Sequence, residues 1–236
     1  LTGHSQIIRF MSFSPSGDKL ASFGDDGYIR VWDIKNGREL LVRGIANSDN
    51  AKSDWLSPSK ISFSKDEKYF AIHLPDCIEI YSKINKTTQI NLKNILKIQF
   101  SYKNAELLVF HSKGVSSFNW LNSNDIGALY SIDMSDVGQL EVSSNQEIFV
   151  TGTAYSNQYS INIYKLSTGL HVNEIRSSSF AYESVILISP DDSIVARHAI
   201  NREIIAWSLN NFNPIFLHSY LNANHPDMQS IAFSQD

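Results

Sequence analysis

Cysteine is almost absent. Cys77 is the only one in 236 residues, so no disulfide can form within the chain. It reads as a small apolar strand residue rather than a reactive thiol. No Cys-x-x-Cys pair, phosphate-binding loop or Gly-x-Gly-x-x-Gly fingerprint occurs, and His218 and His225 stand seven apart without a carboxylate pattern to complete a metal site. No cofactor is expected. An excess of positive charge is also lacking. Twenty Lys and Arg face twenty-four Asp and Glu, and the net charge of −4 offers no basic field for nucleic acid. No apolar run approaches eighteen residues, so membrane insertion through a helix is not expected. No signal-peptide pattern opens the chain. The single sequon, Asn85-Lys86-Thr87, reads as chance rather than as a mark of secretion, which favours an intracellular setting. Helical periodicity of useful length and low-complexity sequence are both missing, and no domain linker is visible.

Short strands separated by turn chemistry are what remain. The densest example is residues 1–40. Gly3-His4 precedes an apolar strand, Ile8 to Phe13. This strand is apolar on both faces, as expected of one buried between two neighbours. Ser14-Pro15-Ser16-Gly17-Asp18 is a turn, Leu20 to Phe23 a second strand, and Asp25-Asp26-Gly27 a hairpin signal. Tyr28 to Trp32 alternates again and ends in Trp32-Asp33.

A Gly-His pair, a Phe-Ser-Pro turn, an Asp-Gly hairpin and a closing Trp-Asp in this order resemble one unit of a WD-repeat β-propeller. The resemblance implies an all-β fold of four-stranded antiparallel blades. It also implies a buried structural network of His4, Ser22, Asp26 and Trp32. The chemistry is consistent: the indole N–H only donates, a serine hydroxyl can accept it and donate onward, and a carboxylate can accept from the imidazole. A Ser, a His and an Asp also make up a hydrolytic triad, but the repeat resemblance implies the structural role.

The apolar-Ser anchor of this unit recurs at Phe13-Ser14, Phe63-Ser64, Phe100-Ser101, Val142-Ser143, Ile188-Ser189 and Phe233-Ser234, at intervals of 37 to 50 residues. Such spacing marks propeller blades. Later units are eroded. Tyr81, Tyr164 and Trp207 stand at the Trp32 position, and Asn119 falls there in the third unit. Ile72, Thr151 and Arg197 stand at the Ser22 position. The expectation is one propeller domain over residues 1–236, with about five blades plus partial strands forming an incomplete ring. Leu1 to Gly3 would be the outer strand of an absent blade, and Ser230 to Ser234 an inner strand without partners.

Propellers of this type imply a non-catalytic protein-interaction scaffold or recognition module whose partners are other proteins. The alternative is the gating domain of a larger hydrolase of the prolyl-peptidase kind. Long connections are expected at Gly44 to Pro58, Asn122 to Val137, Ser177 to Tyr182 and Asn222 to Asp227, with a long hairpin at Ala154 to Gln158. All would lie on one face, where partners would dock. The candidate partner-binding residues are Trp55 and Tyr155, followed by Phe180, Tyr182 and Tyr220, because exposed aromatics dominate interface energetics.

Overall fold

The computed structural model describes residues 2–44, 61–74, 77–82, 85–103, 106–119, 126–153, 159–177, 185–198, 203–219 and 232–234. Among these, all regular structure is β-strand. The first sheet comprises β1 (Ile8–Phe13), β2 (Lys19–Gly24), β3 (Tyr28–Asp33) and β4 (Glu39–Gly44). The second comprises β5 (Ile61–Phe63), β6 (Tyr69–Leu74), β7 (Cys77–Ser82) and β8 (Asn85–Asn91). The third comprises β9 (Ile95–Phe100), β10 (Leu107–His111), β11 (Gly114–Phe118) and β12 (Ile126–Ser131). The fourth comprises β13 (Val137–Val142), β14 (Ile148–Thr153), β15 (Tyr159–Lys165) and β16 (His171–Ser177), and the fifth β17 (Val185–Ile188), β18 (Ile194–His198), β19 (Glu203–Ser208) and β20 (Pro214–Ser219). Each sheet is four consecutive strands in sequential order, the meander expected of a blade. Among the described residues, none of the five sheets takes a strand from elsewhere in the chain.

The recurring serine anchor has a local cause. Ser14, Ser64, Ser143 and Ser189 each begin the turn between the first two strands of a sheet. Each hydroxyl oxygen accepts the N–H of the residue five positions on, at 3.1, 3.0, 3.1 and 2.9 Å. Each carbonyl accepts the N–H three positions on, at 2.9 Å in all four turns. The third residue after the serine takes positive φ: Gly17 (80°), Glu67 (54°), Gln146 (57°) and Asp192 (59°). A side chain in this region costs conformational energy. Two of the non-glycine residues gain a contact there. Glu67 accepts Ser16 N–H (2.6 Å) and the Lys19 ammonium (2.8 Å) from the first-sheet turn. Asp192 accepts Ser144 N–H (2.6 Å) and Asn145 N–H (2.8 Å) from the fourth-sheet turn. The carboxylates therefore clasp consecutive sheets together at their turns.

The residues gather into two compact units. One is Leu1–His111 with Ser116–Ala128, and the other is Ser112–Val115 with Leu129–Asp236. In the first unit, Ala21, Phe23, Ile29 and Val31 of the first sheet pack on Ile61, Phe63, Phe70, Ile72 and Tyr81 of the second. The opposite face of the second sheet, with Ala71, Ile78 and Ile80, packs on Ile98, Phe100 and Val109 of the third. In the second unit, Val150, Ile161 and Ile163 of the fourth sheet pack on Ile186, Val195 and Trp207 of the fifth. Period-2 alternation along the strands of the second sheet feeds the two interfaces on its opposite faces.

Several expectations change. Strand β1 was expected to be buried on both sides, yet Ile8, Met11 and Phe13 are exposed, because only the face carrying Phe10 packs against a neighbouring sheet. Residues 2–3 form no strand. Instead Gly3 lies against the indole of Trp32, where a Cβ would come within 2.7 Å of Cη2. Residues 232–234 form no strand either, and the rest of that segment lies outside the described residues. Asn122 to Val137 is not one connection, since Ile126–Ser131 is the outer strand of the third sheet. That strand is held by Tyr130, whose hydroxyl donates to Leu166 O at 2.8 Å. Glycine at position 127 had hidden its alternation.

Candidate functional site

The first sheet brings His4, Ser22, Asp26 and Trp32 together on one face. Register pairs Leu20 with Trp32 and Ser22 with Arg30, so Ser22 and Trp32 project to the same side of adjacent strands. The Gly24–Gly27 hairpin turns Asp26 back over them, closed by Gly27 N–H donating to Gly24 O at 3.0 Å and allowed by φ of 77° at Gly27. The chain entering β1 then lays His4 across the pair.

Trp32 Nε1–H donates to Ser22 Oγ at 2.9 Å. Ser22 Oγ lies 2.8 Å from His4 Nε2, and His4 Nδ1 lies 3.0 Å from both carboxylate oxygens of Asp26. With Nδ1–H donating to the carboxylate, Nε2 accepts the serine proton, and a single direction of donation runs from indole to carboxylate. Asp26 also accepts Ser5 N–H at 3.0 Å and Tyr28 N–H at 3.2 Å. The His4 and Asp26 side chains are both buried. Burial pushes the Asp26 carboxyl up, but the His4 contact and these two N–H donors outweigh it and hold the group below the usual carboxylate range.

Gly24 belongs to the same site although nothing in its local sequence distinguishes it from an ordinary hairpin glycine. A Cβ there would stand 2.6 Å from His4 Nδ1 and 2.9 Å from Asp26 Oδ1. The His4–Asp26 contact therefore occupies the space a side chain would fill.

As a triad, the arrangement has the right connectivity and the wrong surroundings. Ser22 is only 2 % exposed, and its oxygen already accepts the indole N–H. A nucleophile needs an approach path and a free lone pair. The network ties a hairpin and an entering segment to the sheet.

A second polar cluster was missed from the sequence. Glu79 alternates with Ile78 and Ile80 and reads as a solvent-facing strand residue, yet its side chain is almost wholly buried. It accepts from Arg43 Nε (2.9 Å) of the first sheet, from Lys86 Nζ (3.1 Å) and from the Tyr81 hydroxyl (2.7 Å). Burial pushes its carboxyl up, but Arg43, Tyr81 and Lys86 outweigh that and bring it down to about 2. Burial and the Glu79 charge push the Tyr81 phenol up to about 12. Tyr81 replaces Trp32 in this sheet and Ile72 replaces Ser22, so the tyrosine hydroxyl turns to a carboxylate two positions back on its own strand. The available signal was a Glu-x-Tyr in a unit that had lost its serine.

Elsewhere the repeat positions diverge further. Arg197 is fully buried, with its guanidinium 3.9 Å from the Tyr159 ring centroid in the fourth sheet. Tyr164 stacks on Phe149 at 4.9 Å. Asn119 follows β11 outside the sheet. Cys77 opens β7 and packs against the core of the first two sheets. Trp55, Tyr155, Phe180, Tyr182 and Tyr220 lie outside the described residues. Among the described residues, no three His, Cys, Asp or Glu side chains converge as a metal site, and no helix is long and apolar enough to cross a membrane.

Residues 1–33 match the family model described as WD domain, G-beta repeat. The chain is also similar to ribosome biogenesis protein ERB1 of Yarrowia lipolytica, with 36 % identity over 81 residues, covering 31 % of this chain and 10 % of that protein. Its likeness to ERB1 of Kluyveromyces lactis is 44 % identity over 54 residues, covering 23 % and 7 % of the two chains. For Eremothecium gossypii ERB1 the values are 44 % over 54 residues, 23 % and 6 %. The matched segment thus spans a tenth or less of these relatives' length. Residues 1–33 thus carry a WD repeat, and the four-stranded meander of this first sheet is repeated in four more sheets, the blade arrangement of a WD-repeat β-propeller.

Proposed function

We infer that the chain is a non-catalytic protein-interaction scaffold. The observation that carries this reading is the state of Ser22: it sits buried between Trp32 and His4, so the one Ser-His-Asp constellation among the described residues is spent on holding a blade together. Sheets packed face to face within each unit are the kind of scaffold on which recognition loops are carried. The gating-domain alternative finds no support in the comparisons. The ERB1 relatives are named for ribosome biogenesis, and the similarity to them covers about one to two blades. What it supports here is the repeat.

Partners are other proteins, and Trp55, Tyr155, Phe180, Tyr182 and Tyr220 are the candidate contacts that the sequence suggests. In each sheet the meander puts the connection between the second and third strands at the end opposite the turn between the first and second. Trp55→Ala and Tyr155→Ala are expected to weaken partner binding by about tenfold or more each, with the melting temperature unchanged. Unchanged affinity in both, with loss on altering the turn at 14–18, would place the site at the other end. A separate assay addresses catalysis. Ser22→Ala should leave the hydrolysis of activated esters at the background rate seen with the unaltered protein, and a serine-dependent rate would overturn the scaffold reading.

A further inference from the structure

The turn between the third and fourth strands follows one plan in the first, fourth and fifth sheets. It is closed by Asp33 N–H donating to Arg38 O at 2.8 Å, Lys165 N–H to Leu170 O at 2.8 Å and Ser208 N–H to Asn213 O at 2.9 Å. Each turn holds a residue at positive φ: Gly37 (68°), Gly169 (70°) and Phe212 (59°). The side chain just before that residue accepts the N–H just after it. Asn36 Oδ1 accepts from Arg38 at 2.9 Å, Thr168 Oγ1 from Leu170 at 3.3 Å and Asn211 Oδ1 from Asn213 at 3.1 Å. Of the three turns, the first alone joins an amide side chain to a glycine, and Asn36-Gly37 is the single Asn-Gly pair in the sequence.

The Asn36 side chain is held at both ends. Its Oδ1 accepts Arg38 N–H, and its Nδ2–H donates to Asp33 Oδ2 at 3.0 Å, so the network fixes which way the amide points. Asn36 N–H donates to Asp33 Oδ1 at 3.2 Å. Joining Asn36 Cγ to the backbone nitrogen of Gly37 closes a five-membered ring, so the two atoms are neighbours by connectivity and reaction between them is intramolecular. The Arg38 N–H points at the oxygen on which negative charge develops during that attack. Glycine places no side chain beside the attacking nitrogen. Asn36 and Gly37 are both exposed, so water reaches the ring once it forms. In the fifth sheet the corresponding nitrogen belongs to Phe212, which carries a bulky side chain and whose N–H donates to Ser208 O at 2.8 Å.

We propose that Asn36 is a site of spontaneous deamidation in the folded protein, converting through a succinimide to aspartate and isoaspartate. The Gly37 nitrogen forms a bond to Asn36 Cγ, the Cγ–Nδ2 bond breaks, and ammonia leaves with the proton that Gly37 nitrogen loses. Water then opens the imide. Cleavage of the bond from nitrogen to Cγ gives aspartate in an ordinary main chain. Cleavage of the bond from nitrogen to the backbone carbonyl carbon gives isoaspartate, with the main chain rerouted through the side chain and one methylene longer. Either product puts a second carboxylate beside Asp33 and removes the Nδ2–H donor that Asp33 accepts. The isoaspartate also shifts the closure of the turn by Asp33 and Arg38, and with it the start of β4. That strand carries Arg43 to Glu79 of the second sheet, so modification at an exposed turn loosens the tie between two sheets.

Incubation of the intact chain at mildly alkaline pH, followed by peptide mass mapping, tests this. The peptide holding Asn36 should gain the mass that replaces an amide by a carboxyl, about tenfold or more faster than the peptide holding Asn211. An isoaspartyl methyltransferase should label the incubated chain at the same peptide. The incubated protein should melt about 2–4 °C lower than the fresh one. Asn36→Thr copies the residue at this place in the fourth sheet and keeps an acceptor for Arg38 N–H. It should melt with the fresh protein and lose both the labelling at this peptide and the fall in melting temperature. The same incubation in guanidinium gives the rate for the unfolded chain. A folded rate below about a tenth of the unfolded one shows that the turn protects Asn36, and overturns the proposal. So does conversion of Asn211 as fast as Asn36.

Discussion

Replacing Glu79 by glutamine tests whether the buried carboxylate between the first two sheets stabilises the fold. The side chain is 2 % exposed and accepts from Arg43, Lys86 and Tyr81. Glutamine keeps the volume and one acceptor oxygen for the Tyr81 hydroxyl, but removes the charge and turns the oxygen facing Lys86 into an N–H donor. A carboxyl brought from an ordinary value of ~4.3 in the unfolded chain to about 2 in the folded one corresponds to about 3 kcal/mol at neutral pH. Arg43 and Lys86 are 42 % and 44 % exposed, so solvent screening reduces the effect to about 1–3 kcal/mol. Because the folded pKa is the depressed one, this stability is fully present above the unfolded value and is lost as pH falls through the folded value. Urea unfolding of both proteins at a series of pH values provides the assay. The difference between them should be largest near pH 7, about half as large at ~pH 3 and nearly absent at ~pH 2. A difference below about 0.5 kcal/mol at pH 7, or one that does not change with pH, would refute the ionic account and leave only packing.

Three further outcomes are expected. Gly24→Ala drives a methyl group into the His4–Asp26 contact and should cost about 1–3 kcal/mol; Gly24→Ala combined with Asp26→Ala should cost less than the sum of the two single changes, which a double-mutant cycle measures. Asp26→Ala alone orphans His4 and two backbone donors and should destabilise by about 1–3 kcal/mol at neutral pH, with a smaller difference as pH falls through the depressed Asp26 pKa. Gly152→Ala places a methyl group against the Tyr159 hydroxyl and 2.5 Å from Ile186 Cδ1, so it should loosen the fourth sheet from the fifth, at about 1–3 kcal/mol, with faster amide exchange in β17 and β18 than in β2.

The blade pattern was legible because it is local. Period-2 alternation, a serine at the head of each first turn and Asp-Gly at a hairpin each act within a few residues of one another, through the backbone. Ser14, Ser64, Ser143 and Ser189 could be aligned by eye because each hydroxyl bonds to its own turn. His4, Ser22, Asp26 and Trp32 could be grouped because one intact repeat keeps the spacing that resembles a known family. Tertiary structure decided everything that depends on which face meets which. The burial of Glu79 was not legible, since alternation assigns faces but does not say that Arg43 will arrive from another sheet to neutralise one. The role of Gly24 was not legible either, since only packing shows that His4 occupies the space of its missing side chain. Strand β1 looked buried on both sides, since an apolar pattern records what a strand is fitted to cover, whereas exposure depends on whether a neighbouring sheet is there to cover it.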